Sequence, residues 1–260
     1  MVAHIRAPLF VPANRPERFA KAAASGTDAV ILDLEDAVPQ DAKATARAAL
    51  AADFTDLPVL VRVNAPGTPW HDADVAAVAG LPAAAVILPK AEDPATCSAV
   101  AAATGKPVIA LIESGLGLAQ ARAIAAAEGV ERLAFGSIDF CADLGCEHLR
   151  EVLLPARSEL VLASRLAGIA GPIDGVTVQL DDLSVIRGDA AHARAMGMTG
   201  KLCIHPKQVA EVRNSFAPTE GQIDWARRVL ASGDGAVSVD GAMVDEPVRI
   251  RARAILAQAG

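Results

Sequence analysis

The chain has 260 residues, is 52% hydrophobic and carries a formal net charge of −7. That length suits one α/β barrel or two smaller domains and can bury a large core. The acidic balance, without any Lys/Arg run, argues against nucleic acid as a partner, and no apolar run approaches the roughly 20 residues of a membrane span.

Apolar runs alternate with Ala-rich helical stretches along the chain. Residues 1–8 carry no signal-peptide pattern and lead straight into the first strand, so a cytoplasmic protein is expected. Strands are predicted at Leu9–Ala13, Ala29–Leu34, Val59–Val63, Ala85–Pro89, Val108–Ile112, Arg132–Ile138, Gly175–Gln179 and Lys201–His205. Between them the pattern predicts helices at Arg15–Ser25, Asp41–Ala52, Asp72–Ala79, Pro94–Thr104, Leu118–Glu128 and Asp182–Met196, with a longer one over about Leu149–Gly168. Pro16 suits a first helical turn, and Asp41 and Asp182 suit helix N-caps. Eight such units predict an α/β fold, a (β/α)8 TIM barrel with a C-terminal helical/strand extension. An open doubly wound sheet is the alternative, but no Gly-x-Gly-x-x-Gly follows the first strand.

Residues 216–260 fall outside the eightfold pattern, which places the barrel at 1–215. The extension reads as a helix over Thr219–Ser232 opened by a Thr219/Gln222 capping box, a short strand Ala236–Val239, the turn Asp240-Gly241, and a helix over Glu246–Ala259. Cys97, Cys141, Cys146 and Cys203 match no disulfide framework and no zinc spacing. Cys141 and Cys146 could in principle hold a metal, but free thiols in a reducing cytosol are the simpler reading.

In a barrel, chemistry sits at the C-terminal ends of the strands. Those positions hold Glu35 and Asp36, Arg62 and Asn64, Lys90, Glu113, Asp139 and His205, whereas the strand interiors are almost purely aliphatic. Glu113 and Asp139 each close a buried apolar run, where packing asks for no acid and an unpaired charge is expensive. Two hard carboxylates without a nearby His pair suit Mg²⁺ better than zinc or iron. Arg62 offers a bidentate fork for a carboxylate, so the ligand is read as a small 2-oxo or 2-hydroxy acid. Gly115, Gly117 and Gly136 would let backbone approach it closely, and Pro89 and Gly136 would help set the pocket's size. The structural alternatives are that Glu35 or Asp36 pairs with Arg62 or caps a helix, that Lys90 only neutralises an acidic rim, and that His205 merely ends a strand.

A set of ordered segments resembles the citrate lyase β-subunit-like branch of the HpcH/HpaI aldolase family. It includes Arg6 with Leu9 to Pro16, Asp28 to Pro39, Val61 to Asn64, Ile87 to Glu92, Ile112 to Ser114, Phe135 to Asp139, Ala156 to Ser158, Gly200 to Gln208, and Asp240 to Asp245. The resemblance implies a Mg²⁺-dependent carbon–carbon lyase, commonly a homotrimer or a multiple of it. Such enzymes join or separate a 2-oxo acid, such as oxaloacetate, and an acyl-CoA, with citryl-, malyl- or citramalyl-CoA as usual substrates. It implies Glu113 and Asp139 as metal ligands, Arg62 as the arginine on the acid's oxygens, and Glu35 and Asp36 as an acidic pair lining the site. Asp245 matches an acid/base aspartate contributed by a neighbouring subunit. Arg6 and Arg15 are the candidate cations for CoA. The chain departs from the pattern at Ala7, where a Ser hydroxyl is usual, and near Pro155, where a Tyr is usual. A CoA-independent 2-oxo-acid aldolase, or a 2-oxo-acid-binding subunit of a larger lyase complex, remains the alternative.

Overall fold

Hydrogen bonding between successive apolar runs closes a barrel in the computed structural model, which describes residues 2–233 and 235–259. The parallel strands are β1 Leu9–Pro12, β2 Val30–Asp33, β3 Val59–Arg62, β4 Ala85–Leu88, β5 Val108–Ile112, β6 Val130–Phe135, β7 Ala170–Asp174 and β8 Gly200–Lys201. They lie in the order β1 to β8 in one sheet. Phe10 N–H then donates to Cys203 O, and Cys203 N–H to Pro8 O, both at 2.9 Å, which joins the last strand to the first. The helices of this unit are α1 Phe19–Ala23, α2 Lys43–Ala48, α3 His71–Ala79, α4 Pro94–Thr104, α5 Gly115–Ala119, α6 Ala121–Ala125, α7 Ser137–Leu144, α8 Arg150–Ala167, α9 Leu183–Ala195 and α10 Pro206–Phe216. The architecture is a TIM barrel, as the alternating pattern predicts.

The barrel interior is filled by Ile31, Leu60, Ile87, Ile109, Leu111, Ala134, Ile173 and Leu202. At its N-terminal end Arg132, fully buried, donates to Val2 O, Ile5 O, Gly171 O and Thr199 Oγ1 at 2.7–2.8 Å. Its fork ties the N-terminal segment, β7 and β8 together at the floor. Burial pushes its guanidinium down to about 9, so it stays charged at neutral pH.

Several boundaries differ from the sequence pattern, each for a local reason. The seventh strand is Ala170–Asp174 rather than Gly175–Gln179. The sequence reading puts Pro172 ahead of a strand rather than in one, yet it sits within β7, where its missing N–H coincides with an irregular β6–β7 register. The sixth strand stops at Phe135, and Ser137 opens α7, so Asp139 lies in a first helical turn rather than on a strand. The helix read at 15–25 is a 3₁₀ turn, Pro16–Arg18, followed by the short α1. Asp41 lies in another 3₁₀ turn before α2 and caps nothing. The helix read at 118–128 is two short ones that break at Gln120. Asp182 does cap α9, accepting from Ser184 N–H.

The chain divides into two compact units, Met1–Arg213 and Asn214–Gly260. The second holds α11 Glu220–Ala231, the antiparallel pair β9 Val237–Val239 and β10 Ala242–Val244, and α12 Glu246–Ala259. Its core is Ala226, Val229, Val244, Ala252 and Ile255. The Thr219/Gln222 capping box forms at the start of α11. Among the described residues, no helix is long and apolar enough to cross a membrane.

Beneath the C-terminal ends of β7 and β8 lies a buried ion cluster. Asp174 accepts from Arg157 Nε and Lys201 Nζ, each at 2.8 Å, and all three side chains are at most 5% exposed. Burial pushes the Asp174 carboxyl up, but Lys201 and Arg157 outweigh it and hold it below the usual carboxylate range. Asp174→Asn would leave two buried cations without their anion. The expected cost is about 3–5 kcal/mol of unfolding free energy, measured by urea titration.

Candidate active site

The site is built at the C-terminal ends of β2, β3, β5 and β6. Register places Asp33 beside Arg62, the last residues of β2 and β3. Arg62 Nε and Nη2 donate to the two Asp33 oxygens at 2.7 and 2.8 Å. Its remaining edge, Nη1, lies 2.9 Å from Glu35 Oε2 and 3.4 Å from the exposed Asp36 Oδ2. The guanidinium also stacks on Phe10, 4.8 Å from the ring centre. Burial alone would lower its proton affinity, but Asp33, Glu35 and Asp36 outweigh that and raise it. The fork read as free for a ligand is therefore already filled on one side by Asp33, and the alternative pairing of Glu35 and Asp36 with Arg62 is present.

Asp33 does a second job. Its carboxylate accepts from Glu35 N–H and Ala37 N–H at 2.9 and 3.2 Å, which shapes the loop bearing Glu35 and Asp36. Behind that loop, buried Lys43 donates to Leu34 O, Glu35 O and Asn64 Oδ1, each at 2.7 Å. Asn64 in turn donates to Asp74. Asn64 thus belongs to the support of the site.

Glu113 follows β5 with its side chain 1% exposed. Its Oε1 accepts from Lys90 N–H at 2.7 Å, while its buried Oε2 has no hydrogen-bond partner. Burial, with the negative charge of Glu35 adding to it, pushes its carboxyl up to about 8. Gly136 packs directly on it. A Cβ there would lie 2.4 Å from Glu113 Oε2, so only glycine fits. Glu35 is also pushed up by burial, against the pull of Arg62.

A cavity of about 410 Å³ opens over these groups. Its lining mixes polar Asp33, Asp36, Arg62, Glu113 and Asp139 with Gly136 and with apolar Phe10, Leu111, Phe135, Val176, Leu202 and Ile204; Glu35, expected to line it, stands behind Arg62 and is not among the lining residues. Asp139 reaches it from the first turn of α7. Among the described residues no group of three or more His, Cys, Asp or Glu forms a metal cage. A cation here would therefore sit on two carboxylates and take its remaining oxygens from ligand and water, as Mg²⁺ does.

Other predicted positions fall elsewhere. Pro89 is buried and does not line the cavity. Arg6 precedes β1, with its N–H on Asp28 just ahead of β2, so it stands at the N-terminal end of the barrel, opposite the mouth. A role for Arg6 on a ligand at the mouth does not fit that placement. Arg15 follows β1 at the mouth end and pairs with Glu17 at 2.6 Å. His205 Nδ1 accepts from Lys207 N–H at the start of α10, a structural task. Asp245 belongs to the second unit, where it accepts from Val248 N–H at 3.3 Å in the first turn of α12. Sequence reasoning missed Asp33 and the Asp174 cluster. For Asp33 a signal was available, since an acid that ends the run Val30–Asp33 is as costly to bury as Glu113.

A family model described as "HpcH/HpaI aldolase/citrate lyase" matches residues 6–206. A citrate lyase subunit beta-like protein of Deinococcus radiodurans is 39% identical, covering 97% of this chain and 96% of its own. A (3S)-malyl-CoA thioesterase of Cereibacter sphaeroides is 33% identical over 98% of this chain and 94% of its own. The structure of protein CitE from Mycobacterium tuberculosis, in complex with magnesium, acetoacetate and coenzyme A, superposes with a TM-score of 0.89 at 39% identity, covering 100% of both chains. The family model's match over residues 6–206, with relatives as similar as these over nearly the whole chain, places this chain in the HpcH/HpaI aldolase/citrate lyase family.

Proposed function

We propose that this chain cleaves, or in reverse forms, the carbon–carbon bond between a 2-oxo acid and an acyl-CoA, acting on a 3-hydroxyacyl-CoA such as citryl-, malyl- or citramalyl-CoA. The observation that carries the reading is the unpartnered, buried Oε2 of Glu113 beside a cavity that Asp139 also lines. Such an oxygen is costly unless something cationic meets it. Glu113 and Asp139 would hold Mg²⁺, and the magnesium in the M. tuberculosis relative supports that choice. When bound, the ion supplies Lewis-acid polarisation of the acid's carbonyl oxygen.

The chain's own side chains do the rest. Asp36 is the weakest partner of Arg62, at 3.4 Å and largely exposed, so a substrate oxygen can replace it on Nη1. Asp33 keeps the guanidinium aligned while that exchange occurs. The apolar wall of Phe10, Phe135, Val176 and Leu202 shields the reacting carbons from water. Asp245, supplied by a neighbouring copy in a homotrimer or a multiple of it, takes the proton of the substrate's 3-hydroxyl. The O–H electron pair becomes the carbonyl of the 2-oxo acid, the carbon–carbon bond breaks, and its pair passes to the thioester enolate. Protonation of that enolate yields the acyl-CoA. Arg15, at the mouth end, is the candidate contact for the polyanionic CoA. The free thiols of Cys97, Cys141, Cys146 and Cys203 fit a reducing cytoplasm.

The C. sphaeroides relative favours one second reading, hydrolysis of the thioester. Incubating the purified protein with malyl-CoA and Mg²⁺ separates the two. A lyase releases glyoxylate and acetyl-CoA, whereas free CoA without glyoxylate would sink the lyase assignment.

Two further outcomes are expected. Because the Glu113 carboxyl is held near 8 without a cation, metal binding below that pH must expel a proton. Affinity for Mg²⁺ should rise by up to about tenfold per pH unit as pH approaches 8 and level off above it, as read by calorimetry in buffers of different ionisation enthalpy. Asp245→Asn keeps a good N-cap for α12, so the melting temperature should hold while kcat falls about 10²- to 10⁴-fold.

A further inference from the structure

Lys90 is a non-glycine residue in the left-handed region, at φ +47°. A lysine is strained there, and glycine would adopt the same backbone freely. The conformation aims its N–H at Glu113 Oε1, 2.7 Å away. The side chain of the same residue turns back over the acids: Nζ is 3.2 Å from Glu35 Oε1 and 3.8 Å from Glu113 Oε1. Among the described ion pairs, Lys90 is the cation at Glu113. Its side chain is also 47% exposed, which gives the ammonium a way out to solvent.

The two halves of Lys90 therefore act differently on Glu113. The backbone fixes one carboxylate oxygen and leaves Oε2 free. The ammonium lies against the acids as a movable charge. We propose that Lys90 is a placeholder for the divalent cation: its backbone N–H positions Glu113, while its ammonium neutralises Glu35 and Glu113 when the metal is away and withdraws when the metal arrives. This rests on the reading of Glu113 and Asp139 as metal ligands. It makes Lys90 a positioning residue and a competitor, not a group that touches substrate.

The test is calorimetric Mg²⁺ affinity of the full-length protein and two variants. Lys90→Gly keeps the left-handed backbone and removes the ammonium. Lys90→Met keeps the aliphatic stem and removes only the charge. Both should bind Mg²⁺ roughly three- to tenfold more tightly, the scale of losing one half-exposed like charge. Wild-type binding with unchanged or weaker binding by both variants overturns the placeholder and leaves the metal reading standing. Tighter binding by the glycine variant alone points to relief of backbone strain and also overturns it. Absence of Mg²⁺ binding by the wild type overturns the metal reading, and the placeholder with it.

Discussion

At the mouth of the barrel, Asp33, Glu35, Asp36, Glu113 and Asp139 are gathered against Arg62 and Lys90. The barrel enforces this excess of negative charge. Parallel strands and the loops that leave them bring these residues to one face, and burial holds Asp33, Glu35 and Glu113 there while Asp36 stays exposed. Burial makes the excess costly, which shows in the raised carboxyls of Glu35 and Glu113. A divalent cation relieves it most directly. The chemistry proposed for this chain thus follows from an electrostatic deficit built into its framework.

The framework that sustains the deficit is itself ionic. Asp33 grips one edge of Arg62 with both its oxygens, and Lys43 ties the β2 loop to Asn64. On the far side, Asp174 joins Arg157 and Lys201. Phe135 connects the two halves, since it lines the cavity and also lies beneath the Arg157 guanidinium, 5.8 Å from the ring centre. Pairs of this kind are poor sources of net stability but fix geometry well when every partner is satisfied.

Much of this was legible in the amino-acid sequence, and the failures have causes. Continuous aliphatic runs such as Val108–Ile112 mark parallel strands without ambiguity, and α12 begins at Glu246 as its composition indicates. Pro172 concealed β7, because proline within a strand is recognisable only once the register irregularity beside it is seen. Asp139 looked like a strand end because Gly136 gives no sign of whether a chain turns or continues. The occupied fork of Arg62 depends on which neighbour stands across the sheet, and the left-handed backbone of Lys90 depends on an acid 23 residues further on. Both are tertiary facts with no local signature.

The contact between Gly136 and Glu113 has a wider bearing. A Cβ at 136 would overlap the very oxygen that Glu113 leaves unpartnered. The same added Cβ would also lie 2.4 Å from Glu113 Cβ, an atom any side chain at 113 retains, so shortening the acid makes no room and Gly136 is required by the backbone position of residue 113 itself. A descendant of this chain that kept the barrel but gave up the metal could therefore exchange the acid at 113 while still holding glycine at 136.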